Sequence, residues 1–440
     1  MPHPLSGLAP LRIGIAGLGT VGGGTLRLLQ ANAELIATRA GRPMLVTAVS
    51  ARDRQRARGL DVSDLRWHDD PMGLADDPDV DVVVELIGGS EGPARRLVET
   101  ALSRGRPVVT ANKALIAVHG ASLASAAERA GVALAFEAAV AGGIPVIKAL
   151  REGLAADRLV RIGGILNGTC NYILTQMRET GRSFAAVLEE AQALGYAEAD
   201  PSTDVDGIDT AHKLAILAAL AFGRPVDFDS VHVEGIRGVG AADIAFATEL
   251  GYRIKLLGIA RRTGEGVETR VHPCLVPHSA PIARVEGVFN AVVAEGEFVG
   301  RLMLEGRGAG AGPTATAVVA DLIDIARGSL VPAWGASSGS LSTLTSVPMS
   351  ACRGSYYLRL EVRDRPGVIA EITAVLRDCG VSLKSMLQHG QAAGAGPDES
   401  VPIVLVTHET REQAMQEVVQ CIAGLDVVVA GPTMIRIEAG

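Results

Sequence analysis

Between Ala191 and Lys213 the chain sets five carboxylates, Glu198, Asp200, Asp204, Asp206 and Asp209, within twelve residues. Carboxylates this crowded repel one another, at a cost that grows as distance and local dielectric fall. Gathered in a cleft beside a lysine, they would receive a substrate that carries an ammonium group. Asp209 and Lys213 stand four residues apart in a stretch of helical spacing, which puts both side chains on one helix face. The plain reading of such a couple is a solvated ion pair; the chemical reading is a lysine poised to move a proton. His212 projects about 100° away around the same helix and reads as a helix-face residue rather than a base.

A second set of residues suits a dinucleotide. The apolar run Leu11–Ala16 breaks into Gly17-Leu18-Gly19-Thr20-Val21-Gly22, and a segment with Leu26, Leu29 and Ile36 at helical spacing follows. Strand, glycine turn and helix in that order let the first glycine turn, the second admit pyrophosphate to the backbone and the third pack helix on strand. Gly17, Gly19, Thr20, Val21 and Gly22 are therefore candidate nucleotide contacts. After the next apolar run, Met44–Val49, stands Ser50-Ala51-Arg52-Asp53-Arg54, with no acidic residue ending the strand to take the ribose 2′-hydroxyl. Arg52 and Arg54 would instead hold a 2′-phosphate, so NADP(H) is expected over NAD(H), with NAD(H) possible. Gly310, in Gly308-Ala309-Gly310-Ala311-Gly312-Pro313, is either a second nucleotide contact or part of a hinge.

The elements that must position these residues follow from the apolar pattern. Runs at 80–87, 107–110 and 132–136 alternate with helix-like stretches at 94–104 and 115–130, the pattern of an α/β, Rossmann-type doubly wound parallel sheet over residues 1–136. Residues 137–312 read as an α+β catalytic and dimerisation domain, with a helix over Ile208–Phe222 and a β-like run near Val285–Ala294. A helix over 313–330 is expected to return to the first domain. Residues 331–354, rich in Ser, Gly, Thr and Pro, read as a linker. Strand 356–362, turn 365–367, helix 368–379, strand 401–408, helix 411–422 and strands 427–429 and 434–437 complete a C-terminal module over 355–440.

Composition narrows the function classes. A net charge of -8 on 440 residues without a basic run argues against nucleic acid as a partner. No apolar run nears the length of a membrane span, and the first residues lack a signal peptide's basic and apolar regions, so a cytoplasmic protein without a membrane partner is expected. The five cysteines show neither a disulfide framework nor zinc-ligand spacing. Only 3% of residues are aromatic while 52 are glycine, so the core rests on Val, Ile, Leu and Ala with closely approaching backbones.

The segment carrying Ala191, Gly195, Tyr196, Ala197, Asp200, Pro201, Asp204, Val205, Gly207, Asp209 and Lys213 resembles the signature of homoserine dehydrogenases. Thr110-Ala111-Asn112-Lys113, the stretch from Phe136 to Pro145 and Ile165-Leu166-Asn167-Gly168-Thr169 extend the resemblance in order over residues 10–330. It implies hydride transfer between NAD(P)H and L-aspartate 4-semialdehyde, giving L-homoserine. It also implies that Lys213 is the general acid oriented by Asp209, with Lys113 a second candidate for the proton or for holding substrate. Glu198 and Asp204 would bind the amino-acid substrate. Glu137 with the carbonyls of Val140, Gly142 and Ile144 resembles the family's monovalent cation site, commonly sodium. One carboxylate with backbone carbonyls suits such a hard ion better than zinc. Asn167 and Thr169 sit in a polar turn, either lining the cleft or capping a helix.

In the C-terminal module, a strand, then Asp364-Arg365-Pro366-Gly367, then a helix, within a βαββαβ-like order, resembles the ACT domain. That implies feedback regulation by a small amino acid, most simply L-threonine, by a module whose removal spares catalysis. A homodimer or homotetramer is expected, the run near 285–294 serving as an intersubunit sheet. With no kinase-like extension, a single activity is expected.

Overall fold

Six parallel strands form, mostly from short apolar runs: β1 (Leu11–Ala16), β2 (Met44–Ser50), the polar edge strand β3 (Arg66–His68), β4 (Val82–Glu85), β5 (Val108–Thr110) and β6 (Leu134–Ala135). The sheet order is β3-β2-β1-β4-β5-β6. Its strand order reverses between β1 and β4, and in such sheets the ligand crevice lies outside the carboxyl ends of the strands at that point. Val82, Val83 and Val84 are fully buried, as strands covered by helices on both faces must be. This computed structural model describes residues 9–388 and 400–438; the first eight residues of the chain, read above for a leader, lie outside them.

The second sheet continues through β7 (Leu159–Ile165), β8 (His232–Val233), β9 (Tyr252–Arg262), β10 (Val267–Pro277), β11 (Phe289–Gly296) and β12 (Gly300–Arg307). Strands β12, β11, β7, β9 and β10 pair antiparallel in that order. The helix Ile208–Phe222 lies where expected and packs on β7, β9 and β10. The strand near 285–294 is β11 and starts at Phe289, because Val285 closes a preceding 3-10 turn.

Two expectations about the chain's organisation change. The returning helix spans Ala311–Ala326, with Pro313 tolerated in its first turn, and packs on the helix Thr20–Ala31. The segment 331–354 is no loose linker. Trp334 is buried, its ring 5.3 Å from that of Phe136, and β13 (Ser346–Val347) pairs with β10.

The C-terminal module comprises β14 (Arg353–Arg363), helix Val368–Asp378, β15 (Leu383–Gln388), β16 (Ser400–Thr407), β17 (Thr410–Arg411), helix Glu412–Ala423 and β18 (Val428–Ile437). Its sheet order is β18-β14-β16-β15, and β17 pairs with β14. A removable appendage was the expectation, yet β18 pairs in parallel with β10 at Cys274–Arg436 and Leu275–Ile437, so one sheet runs through both regions. Ion pairs with a buried or largely buried arginine close this seam. Arg436 forks onto Glu234 at 2.7 and 2.8 Å and onto Glu412 at 2.9 and 2.5 Å. Arg359 reaches Asp243 at 2.7 Å.

Candidate active site

The glycine turn has the shape a dinucleotide requires. Gly17 sits at φ 96°, and a side chain there would meet the Leu86 carbonyl at 2.4 Å. A side chain at Gly22 would lie 1.9 Å from the Gly17 carbonyl, so the turn closes only with glycine at both positions. Gly19 faces open space and caps the helix Thr20–Ala31 without any side-chain bond, leaving first-turn amides for an anion. Thr20 is exposed and Val21 half-buried at that end. Arg52 follows β2 exposed, with no hydrogen bond or ion pair among the described residues. Arg54 is turned over the Trp67 ring at 5.8 Å. Gly310, at φ 118°, caps the helix that packs on Thr20–Ala31, and the preceding loop is tied to the turn at 142–143 by Gly143 N–H to Arg307 O at 3.0 Å.

At the ends of β4 and β5, Glu85 is fully buried and organises the crevice wall. It accepts from Ile87 and Gly88 N–H at 2.7 and 3.0 Å and from the Thr110 hydroxyl at 2.6 Å. Thr110 accepts in turn from Asn112 N–H, and Asn112 caps the helix Lys113–Ala130 through Leu115 N–H. Lys113 is thereby fixed at the carboxyl edge of the nucleotide sheet.

There the two domains meet around one carboxylate. Asp209 Oδ1 lies 2.8 Å from Lys113 Nζ, and Asp209 Oδ2 accepts from Lys213 Nζ at 2.7 Å and from Asn167 Nδ2 at 2.8 Å. Lys213 also donates to the Leu166 carbonyl at 2.7 Å. Asn167 donates to Asp204 at 2.9 Å and caps the helix Gly168–Thr180 through Cys170 N–H, so it both caps and lines the site. Thr169 bonds the Tyr196 carbonyl at the rim.

The electrostatics separate the two lysines. Burial pushes the Lys213 ammonium down, with the neighbouring Lys113 charge assisting and Asp209 opposing. Lys113 is held up chiefly by the Asp209 charge, against burial. Its side chain keeps 39% of its exposure, against 10% for Lys213. Asp209 stays ionised despite full burial because both lysines outweigh desolvation. Burial and the Asp209 charge raise Asp204. Glu198 is exposed and makes no side-chain bond in this cluster, although its charge bears on Lys113. His212 stacks on Phe228, with centroids 4.5 Å apart, as a helix-face residue.

Glu137 is buried elsewhere, at the start of a short helical segment. Its carboxylate accepts from Ile147 and Lys148 N–H at 2.9 and 2.8 Å, and its own N–H donates to the buried Asp321. Burial pushes Glu137 up to about 7, with the Asp321 charge adding to it, and burial pushes Asp321 up to about 6. Lys148 Nζ lies 3.7 Å from Asp321 and its charge opposes both shifts, so a cation already stands beside the pair; an oxygen-rich pocket of this kind still suits a hard monovalent ion. The Ile144 carbonyl already accepts from Val146 N–H at 2.7 Å, and Val140, Gly142 and Ile144 share the turn that follows Glu137.

In the C-terminal module, Arg363, Asp364, Arg365, Gly367, Val368 and Gln388 line a cavity of about 550 Å³. Sequence reasoning missed Glu85 and Asp321. Both are single acids at element ends, and only the pairing of distant strands and helices gives them partners.

A doubly wound nucleotide sheet joined to a mixed-sheet domain, with lysines and carboxylates at the junction, defines a nicotinamide-nucleotide oxidoreductase. Residues 145–323 match the homoserine dehydrogenase family model, 17–137 that family's NAD-binding domain and 356–425 the ACT domain. Homoserine dehydrogenase of Pseudomonas aeruginosa is 48% identical over 437 residues, covering 98% of this chain and 99% of its own. That of Bacillus subtilis is 41% identical, covering 97% and 98%. The crystal structure of the Thiobacillus denitrificans enzyme superposes with a TM-score of 0.92 at 48% identity, over 98% and 99% of the chains. A hyperthermophilic archaeal homoserine dehydrogenase in complex with NADPH matches with a TM-score of 0.62 at 28% identity, over 72% and 97%. The chain belongs to the homoserine dehydrogenase family and is an oxidoreductase of that activity.

Proposed function

We propose that this enzyme works in threonine, methionine and isoleucine biosynthesis, reducing L-aspartate 4-semialdehyde reversibly to L-homoserine, with NADP(H) preferred and L-threonine as feedback effector. The observation that carries the reading is the pair of ammonium groups, Lys113 and Lys213, on one buried carboxylate at the edge of the nucleotide sheet. The nicotinamide, when bound, supplies the hydride. Negative charge then gathers on the aldehyde oxygen, and Lys213, whose proton is loosened by burial, donates it there. Asp209 orients Lys213 through the 2.7 Å bond. Lys113 keeps its charge and stabilises the oxyanion. Asp204 and Glu198 receive the substrate ammonium.

Arg52, exposed and without an ion pair among the described residues, supports recognition of a 2′-phosphate, in keeping with the NADPH held by the archaeal relative. Gly17, Gly19, Thr20, Val21, Gly22 and Gly310 would surround the pyrophosphate. Glu137 with carbonyls of Val140, Gly142 and Ile144 would hold sodium, adding to the charge that Lys148 brings to Asp321. L-Threonine would occupy the cavity beside Arg365 and Gly367. An apolar hollow on the second sheet, lined by Leu257, Ile259, Val293 and Met303, supports pairing of subunits into a dimer or tetramer. Free thiols at all five cysteines suit a reducing cytoplasm.

The test is the full chain with L-aspartate 4-semialdehyde, following NADPH and separately NADH absorbance, with and without L-threonine. Faster NADPH oxidation, slowed by threonine, is expected. Equal rates with both nucleotides overturn the cofactor reading, and insensitivity to threonine overturns the effector.

A further inference from the structure

The segment 232–237 joins the C-terminal module to the start of the catalytic helix. Glu234 accepts both Nη groups of Arg436 of β18, at 2.7 and 2.8 Å, and lies 2.8 Å from His232 Nε2. Burial opposes its charge, but these partners hold Glu234 ionised. Its backbone N–H donates to Val271 of β10 at 2.7 Å, so side chain and main chain are both fixed.

The next residues grip the turn that precedes Asp209. Gly235 lies so close that a side chain there would meet the Val205 carbonyl at 2.2 Å. Ile236 N–H donates to that carbonyl at 2.8 Å, and Arg237 pairs with Asp206 at 2.5 Å. Gly207, at φ 87°, starts the helix; a side chain there would press on Val233 and Val271 at 3.1 and 3.2 Å. Asp204 stands just before the gripped turn and Asp209 just after it. The register of that turn therefore sets where both carboxylates, and through Asp209 the Lys213 ammonium, are presented.

We infer that Glu234, held by Arg436, is a positioning residue for the catalytic helix, and that strand β18 thereby acts on turnover. The inference rests on the site assignment made above. Catalytic groups tolerate little displacement, since a misplacement of about 1 Å can cost on the order of a hundredfold in rate. The second bolt of the seam, Arg359 on Asp243, reaches the helix Ala241–Glu249, which carries none of the site residues.

The experiment compares Glu234→Gln, Arg359→Gln and Lys213→Ala in the full chain, reading kcat, both KM values and the melting temperature. Glu234→Gln should lower kcat about tenfold with the nucleotide KM unchanged. Arg359→Gln should lower the melting temperature and leave kcat unchanged. Wild-type kcat in Glu234→Gln, beside a collapse in Lys213→Ala, overturns the inference alone. Full activity in Lys213→Ala as well overturns the site assignment and the inference with it. Equal loss of kcat in Glu234→Gln and Arg359→Gln also overturns it, because the effect would then belong to the seam at large. Should Glu234→Gln not fold, Arg436→Lys, which keeps a cation between Glu234 and Glu412 without the fork, should lower kcat at least threefold at unchanged nucleotide KM. Unaltered turnover there overturns the inference.

Discussion

In the cleft, Lys113, Lys213, Asp209 and Asp204 share few bonds and strained protonation: burial loosens the Lys213 proton and tightens that of Asp204. At the seam with the C-terminal module, Arg436 has Glu234 on one side and Glu412 on the other, and burial is outweighed for both Arg436 and Glu234. Both clusters are largely buried, each with one member open to solvent, Lys113 in the cleft and Glu234 at the seam, and both mix signs, but they use different cations. A guanidinium presents a planar fork that two carboxylates can saturate, which suits a permanent joint. An ammonium carries a mobile proton whose affinity responds to burial, which suits chemistry. The difference is one of chemistry: partners hold the groups of the joint charged, whereas burial works against the charges of Lys213 and Asp204.

The comparison breaks most sharply at its two cations. Lys213→Ala should lower kcat by about 10²–10³-fold, the range for one lost group that stabilises developing charge, with nucleotide affinity kept and little change in melting temperature, because Lys113 still partners Asp209. Steady-state kinetics and a nucleotide titration check both halves. Arg436→Ala should do the reverse. Glu412, fully buried, loses its guanidinium, and stability should fall by about 3–5 kcal/mol, read by thermal or urea unfolding, with kcat reduced only about tenfold.

A pH profile sharpens the same contrast. Lys213 gives up its proton at a lower pH than a lysine in water, so kcat for aldehyde reduction should fall along an alkaline limb below the usual lysine range. The Asp209 charge favours the protonated lysine. Asp209→Asn should therefore move that limb to still lower pH. A limb that stays put, or moves up, removes Lys213 as the proton donor.

How much of this was legible in the sequence depended on whether partners were local. Gly17, Gly19 and Gly22 act within one turn, and Asp209 and Lys213 within one helix, so spacing alone placed them. Strand β10 escaped because Glu268, Arg270 and His272 interrupt any apolar run, although every residue from Val267 to Val276 is buried. The Glu268 and Arg270 charges are met by Arg261 of β9, the neighbouring strand, and by Glu438, distant in the chain just past the end of β18. Trp334 looked like linker for a similar reason: its pocket, at Phe136 and Gly120, is built far away in the chain. For Asn167 the sequence left lining the cleft and capping a helix open; it does both, and its bridge from Asp204 to Asp209 exists only once the helices meet.

Arg52 offers a third kind of cation, exposed after β2 and without an ion pair among the described residues. Arg52→Ala should cost about 1.5–3 kcal/mol in NADPH binding if it holds the 2′-phosphate through a charged hydrogen bond, with NADH kinetics unchanged. The ratio of kcat/KM for the two nucleotides is the measure, and an equal loss for both would reduce Arg52 to general electrostatic attraction.

The smallest expected effect separates a working carboxylate from a structural one most cleanly. Asp204 binds its proton more tightly in the folded protein than in the unfolded chain, so at neutral pH, where it is charged, it costs stability. That cost vanishes below the ordinary aspartate range, where both states are protonated. Asp204→Asn keeps an oxygen to accept from Asn167 and removes the charge. It should raise stability at pH 7 by on the order of 0.5–1 kcal/mol, with no gain near pH 3, while the KM for homoserine rises. Glu234, held ionised by its partners, predicts the opposite sign: Glu234→Gln should lose stability at pH 7. If Asp204→Asn also loses stability there, Asp204 is part of the scaffold, and the boundary between cleft and joint has to be drawn on the other side of it.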